Sequence, residues 1–240
     1  MTYDFHGGWE SQTGHQAAMI NDPGGYDVVT SIKQFQANDV DLSKVILGAP
    51  TYTRAWGDVD AGETLGLGNS GDSRQAPGSL EAGNYDQKDL ITGINDGSYE
   101  LIWDDDSKAA FVYNDVTRVW SSVETPATIA GKTAFIDDMG LGGMMFWALS
   151  NDSSGDQSLI TAASELLRGS ATFDEVISRS EQFDFILGGD AQFGLDDFTQ
   201  SNQGSVAGGG NPSDSDPFST AFSADGRNDG SSLIDSAQMF

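Results

Sequence analysis

Lys44-Val45-Ile46-Leu47-Gly48-Ala49-Pro50 is a short apolar run, rich in β-branched residues and stopped by a proline. A run of this kind, without polar residues alternating along it, is the mark of a parallel strand buried on both faces. Gly142-Gly143-Met144-Met145-Phe146-Trp147-Ala148-Leu149 repeats the pattern and predicts a second fully buried strand. Helical signals lie around both. Between Tyr26 and Val40, the residues Val28, Val29, Ile32 and Phe35 recur at helical spacing, following a short apolar fragment, Met1 to Phe5, that reads as another strand. Thr125 as N-cap with Pro126 at the first helical position opens a second helix, which runs to about Asp138 before Gly140. A third helix, about Asp156 to Leu167, carries Leu159, Ile160, Ala163 and Leu166 on one face and is closed by Gly169. Strands alternating with helices argue for right-handed βαβ units and an α/β fold.

One connection breaks the rhythm. About 70 residues separate the strand ending at Ala49 from the helix at Thr125, and a structureless loop of that length is rare inside a domain. An inserted α+β subdomain over about 57–123 is the better expectation, with strands at Tyr99 to Trp103 and Ala110 to Tyr113 and a Gly/Ser-rich surface loop from Gly62 to Gly83. Three βα units do not close a barrel, which takes eight strands and about 250 residues. The chain is therefore expected to be an incomplete barrel, or else a small open sheet whose edge the insertion covers.

Composition sets the limits on function. The 240 residues hold 37 acidic against 11 basic side chains, a formal charge of -26. That field repels phosphate backbones and anionic lipid, so neither nucleic acid nor a membrane is the expected partner. No run of 18 apolar residues and no signal-peptide pattern is present. Without cysteine there is neither a disulfide nor a thiolate metal site. His6 and His15 lack a metal-ligand spacing and read as hydrogen-bonding residues near loops. No metal or cofactor is expected.

Three ordered motifs carry a resemblance. Met1-Thr2-Tyr3-Asp4 is similar to the sixth-strand signature of family 18 glycoside hydrolases, Met-x-Tyr-Asp. Gly48-Ala49-Pro50-Thr51-Tyr52-Thr53-Arg54 resembles the seventh-strand motif, and Gly142 to Trp147 resembles the eighth strand with its floor tryptophan. The long interval after Arg54 sits where chitinases of this family insert a small α+β domain. The resemblance covers residues 1 to about 168. It implies the last three βα units of a partial (β/α)₈ TIM barrel with an α+β insertion, followed over 169–240 by an acidic, Gly/Ser-rich C-terminal extension.

The resemblance also implies a chemistry. In this family the substrate's own N-acetyl group is the nucleophile, so a single carboxylic acid replaces the usual pair. Tyr3 and Asp4 would aim the acetamido group, the first through its hydroxyl and the second through the amide NH. Trp147 would lie under the sugar before the cleaved bond, while Met1, Tyr52 and Arg54 match cleft-lining positions and Glu81 an acidic position of the inserted domain. Trp9, Trp56 and Trp103 are further stacking candidates, with Trp103 and Trp120 read as structural. The implied substrate is chitin or a chito-oligosaccharide, and the implied protein a secreted monomer.

One departure qualifies this. Family members carry the catalytic acid in an Asp-x-x-Asp-x-Asp-x-Glu run on the fourth strand, and no such run exists here; Asp104-Asp105-Asp106 is followed by Ser107, Lys108 and Ala109. The catalytic acid is expected upstream of Met1, and the chain to be inactive alone. A catalytically dead chitinase-like lectin and an acidic scaffold unrelated to sugar are the rival readings. Residues 170–240, with 12 acidic and 2 basic residues, predict a hairpin at Phe183 to Leu195, a linker from Gln200 to Asp216 and a short helix from Leu233 to Phe240.

Overall fold

Residues 1–179 are described by a computed structural model. Its helices are α1 (Val28–Ala37), α2 (Gln87–Asn95), α3 (Pro126–Met139), α4 (Leu159–Leu167) and α5 (Phe173–Ile177). Its strands are β1 (Ile46–Pro50), β2 (Arg54–Trp56), β3 (Glu100–Asp104), β4 (Ala109–Asn114), β5 (Val119–Val123) and β6 (Gly143–Trp147). The hairpin, linker and terminal helix expected beyond Phe183 lie outside the described residues.

Two sheets form. β1 and β6 pair in parallel, Ile46 opposite Gly143 through Pro50 opposite Trp147. The second sheet is antiparallel, in the order β2-β5-β4-β3, and fills the interval between β1 and α3 together with α2. The mixed α/β class follows the sequence reading. The number of parallel strands does not, because Met1 to Phe5 forms no strand. It lies against β1 instead, with the Thr2 hydroxyl donating to the Gly48 carbonyl at 2.6 Å.

Alternation along the two parallel strands sorts their side chains. Leu47 and Ala49 of β1, with Met144 and Phe146 of β6, pack under the helices. α3 covers this face from Ala127, Ile129 and Ala130 to Phe135 and Ile136, joined by α4 and by Val28 and Ile32 of α1. The opposite face carries Gly48 and Met145, and here Tyr3 and Tyr52 gather. Burial corrects two expectations. β6 is only partly buried and ends on an exposed Trp147, and β1 opens on an exposed Ile46. The reason is that β6 has a strand partner along one edge among the described residues.

α3 forms for reasons written into its ends. The Thr125 hydroxyl accepts from the Thr128 amide and the Thr128 hydroxyl from the Thr125 amide, a reciprocal cap, with Pro126 in the first turn. Gly140 stops it in the left-handed conformation at φ 61°. The antiparallel sheet buries two clusters. Leu90, Ile91 and Ile94 of α2 cover one face, and Trp56, Phe111, Tyr113 and Trp120 fill the other. Trp56 is fully buried there and donates its indole N–H to the Glu10 carbonyl at 3.0 Å, so it is a core residue and offers no stacking surface.

Candidate functional site

Asp4 ends the segment that runs beside β1, and its backbone turns at φ 58°. That region is uncommon outside glycine, although aspartate tolerates it better than most, and such conformations persist where surrounding contacts impose them. Here the contact is Arg54, whose Nε donates to Asp4 Oδ1 at 2.9 Å with both side chains partly buried. The guanidinium lies over two rings, its Cζ 5.1 Å from the centroid of Tyr52 and 5.4 Å from that of Trp9. Tyr3 meets Tyr52 edge to face at 6.2 Å. A side chain at position 48 would collide with this group, because its Cβ would stand 2.8 Å from the Tyr3 ring. Gly48 therefore makes the room that Tyr3 occupies.

The electrostatics favour donors. Burial raises the Tyr3 phenol above its usual range, and the Asp4 charge adds to this. Tyr52 is raised further, by burial first, then by its hydrogen bond to Asp4 and the Asp4 charge, against a smaller opposing effect of Arg54. Both phenols thus keep their protons through neutral pH and face a carboxylate able to accept. Burial works against the Arg54 charge, but the hydrogen bonds and charges of Asp4 and Tyr52 together outweigh it and hold the guanidinium protonated.

Trp147 stands at the same end. Pro50 and Trp147 are opposite one another at the C-terminal ends of β1 and β6. Pairing continues past them, the Thr51 amide donating to the Trp147 carbonyl at 2.9 Å and the Thr51 hydroxyl to the Ala148 carbonyl at 2.6 Å. Tyr52 and Arg54 follow within four residues of Pro50. By alternation Trp147 shares the face of Met145, which packs against Tyr3 and Tyr52, yet 61% of its surface stays open. The same strand ends thus carry an exposed indole as well as phenols, a guanidinium and a carboxylate.

Burial and hydrogen bonding place the remaining candidates. Met1 is exposed. Glu81 lies in a turn of the antiparallel region, where it accepts from the Asn84 side-chain amide at 3.3 Å. Trp103 and Trp120 are buried. Trp9, which the sequence left undecided, is 60% exposed and caps Arg54. Gln16 was missed altogether. Buried in a loop, it donates its side-chain amide to the Tyr52 carbonyl at 2.6 Å and its backbone amide to the Ser122 hydroxyl of β5 at 3.1 Å. Gly14-His15-Gln16-Ala17 carries no periodic signal that would have marked Gln16.

Comparison with known proteins gives the family. The family described as Glycosyl hydrolases family 18 matches residues 1–152. Chitinase A1 of Niallia circulans is 34% identical over 164 residues, covering 63% of this chain and 23% of that protein. Endochitinase 1 of Metarhizium robertsii is 30% identical over 183 residues, covering 74% and 41%. The chain thus spans well under half the length of either relative. Among solved structures, a chitinase from Bacillus thuringiensis superposes with a TM-score of 0.63 at 30% identity, over 70% of this chain and 31% of that one. A Cycas revoluta family 18 chitinase in complex with allosamidin gives 0.59 at 27% identity, over 70% and 46%.

Proposed function

The chain belongs to family 18 of the glycosyl hydrolases, and on that premise we propose that its described residues build part of the chitin-binding cleft of a chitinase-type enzyme. One observation carries the reading. Asp4, held by Arg54 and flanked by the phenols of Tyr3 and Tyr52, stands at the same end of the parallel strands as the exposed Trp147. β1 and β6 are then the seventh and eighth strands of a (β/α)₈ barrel, whose functional side chains come from strand ends and the loops after them.

In this reading the substrate is a polymer or oligomer of β-1,4-linked N-acetylglucosamine. Its acetamido carbonyl acts as nucleophile on the anomeric carbon, and one protein acid protonates the leaving oxygen. The Tyr3 hydroxyl donates to the acetamido oxygen and Asp4 accepts from the amide NH. The oxygen therefore points at the carbon it must attack, and the charge that develops on the amide is stabilised. Trp147 supports the distorted ring from below. Tyr52 and Arg54 hold Asp4 in place, while Met1 and Glu81 are the outermost contacts with the polymer. The general acid has no counterpart in these 240 residues, which contain no Asp-x-x-Asp-x-Asp-x-Glu run. The complete protein is read as a secreted monomer, and the acidic extension as separate from the cleft.

The rival reading is a carbohydrate-binding protein without catalysis that uses the same cleft. Both readings expect Trp147 resonances to move when (GlcNAc)4 is added, and a flat titration sinks both. Under the enzyme reading, the chain alone leaves a fluorogenic chitobioside uncleaved, since general acid catalysis contributes about 10²- to 10⁴-fold. Fusing the chain to an upstream family 18 segment that bears the acidic run restores turnover, and Tyr3→Phe in that fusion lowers kcat by about 10²- to 10³-fold. Normal turnover by the chain alone, or an unchanged kcat in the Tyr3→Phe fusion, rejects the assignment.

A further inference from the structure

His6 follows Asp4 by two residues, and both of its ring nitrogens point at carboxylates. Nδ1 is 2.9 Å from Glu10 Oε2 and Nε2 is 2.7 Å from Asp22 Oδ1. An ionised carboxylate only accepts, so both contacts are hydrogen bonds when each nitrogen carries a proton, the imidazolium form. Neutral imidazole keeps one donor and turns a lone pair toward the other carboxylate. Asp22 is itself anchored, accepting on Oδ2 from the amides of Gly24 and Tyr26 at 2.8 and 3.2 Å. The Tyr26 ring meets the imidazole edge on at 6.3 Å. Gly14 lies against its face, where a Cβ would come within 2.7 Å of the ring.

Glu10 passes the clamp onward. The oxygen that meets His6 also accepts from the Gly7 amide at 3.3 Å, and the Glu10 amide donates to the Gly7 carbonyl at 3.0 Å. Trp9 lies directly on Gly7, whose missing side chain would otherwise stand 2.4 Å from the indole. The indole also meets the Arg54 guanidinium, which holds Asp4.

We propose that His6 is a positioning residue for the Arg54–Asp4 pair: its imidazolium, held between Glu10 and Asp22, fixes the Gly7–Glu10 turn that seats Trp9 on Arg54, and losing the proton loosens that seat. Two contacts with the antiparallel region keep the change local, the Ser73 hydroxyl donating to the Gly8 carbonyl and the Trp56 indole to the Glu10 carbonyl. The groups facing His6 are Glu10 from the turn, Asp22 and Tyr26 from the following loop, and Arg54 with Asp4 beyond Trp9.

The direction of the pH effect follows. Burial lowers the His6 pKa, but the hydrogen bonds and charges of Asp22 and Glu10 outweigh it and leave it raised above the ordinary value. A raised folded pKa means that the clamp is fully present below the unfolded value, about 6.5, and is lost as pH rises through the folded one. The experiment is an NMR titration of the full chain without sugar, following the His6 ring nitrogens and the assigned indole N–H of Trp9. Both nitrogens should be protonated below the midpoint, and the Trp9 resonance should titrate with that midpoint. In His6→Gln the Trp9 titration should vanish, with the Trp120 resonance reporting that the fold is intact. Should His6→Gln fail to fold, Asp22→Asn serves instead and should lower the His6 midpoint. A Trp9 resonance that stays flat through the His6 transition, one that still titrates in His6→Gln, or a His6 midpoint unmoved in Asp22→Asn overturns the proposal. The coupling is read without ligand, so it stands or falls apart from the cleft reading. Where both hold, (GlcNAc)4 affinity falls as His6 loses its proton.

Discussion

The parallel pair β1–β6 and the antiparallel sheet that interrupts it are stabilised in different ways. β4 and β5 are buried almost throughout, and α2 closes one face of their sheet. Pairing there joins sequence neighbours, β3 with β4 and β4 with β5, and reaches back from β5 to β2. β6 is partly buried and ends on an open tryptophan, and what burial it has comes from helices before and after it in the chain. The antiparallel sheet is built for packing, whereas in the parallel pair β1 ends buried at Pro50 and β6 ends on a tryptophan left open to solvent. Tryptophan serves opposite purposes in the two regions.

The largest expected effect tests the first half of this contrast. Trp120 has no exposed surface, stacks on Phe111 at 5.2 Å and meets Trp56 at 5.6 Å. Trp120→Ala should cost about 3–5 kcal/mol, as truncating a fully packed aromatic does. Urea unfolding followed by circular dichroism measures it. A loss under about 1 kcal/mol would mean that the inserted sheet does not depend on this core.

An effect of similar or slightly smaller size is expected at the seam between the regions. Lys132 of α3 donates to Glu124, just after β5, at 2.5 Å, and both side chains are buried. The Thr128 hydroxyl donates to the other Glu124 oxygen at 2.7 Å. Lys132→Met strands a buried carboxylate and should cost about 3–5 kcal/mol, while adding Glu124→Leu should recover most of it. Failure of the double variant to recover would show that the pair also fixes how α3 meets the inserted sheet, and the two regions would then be less separable than their packing implies.

The smallest expected effect on stability is at Trp147. Because it is largely exposed, Trp147→Ala should change the unfolding free energy by no more than about 0.5 kcal/mol. The same variant should abolish the response of the chain to (GlcNAc)4. A large stability loss with binding retained would make Trp147 a core residue and erase the contrast with Trp120.

Sequence was most legible where local chemistry decides. The reciprocal cap at Thr125, Pro126 in the first turn and Gly140 at the end act within one helix, so α3 could be read almost to the residue. β1 ended at Pro50 as expected, and the two strands expected in the interval emerged as β3 and β4. α2 and β5 were overlooked although each left a trace. Leu90, Ile91 and Ile94 have helical spacing after Asp86, and Val119 to Val123 follows a turn after β4. A serine pair in the middle of β5 hid its burial, which comes from the strands on either side.

By itself, then, the sequence determined the ends of α3, the parallel strand at Pro50, the acidic balance and the ordered motifs that led to family 18, because each is a property of neighbouring residues or of their order. Tertiary structure alone decided which side chains meet and how much of each stays open. Arg54 reaches Asp4 across 50 residues, Gln16 joins Tyr52 to β5, Trp56 is buried while Trp147 is exposed, and Met1 to Phe5 lies beside β1 without a ladder. Each of these is set by a packing partner distant in sequence, and no period or spacing along the chain encodes that partner.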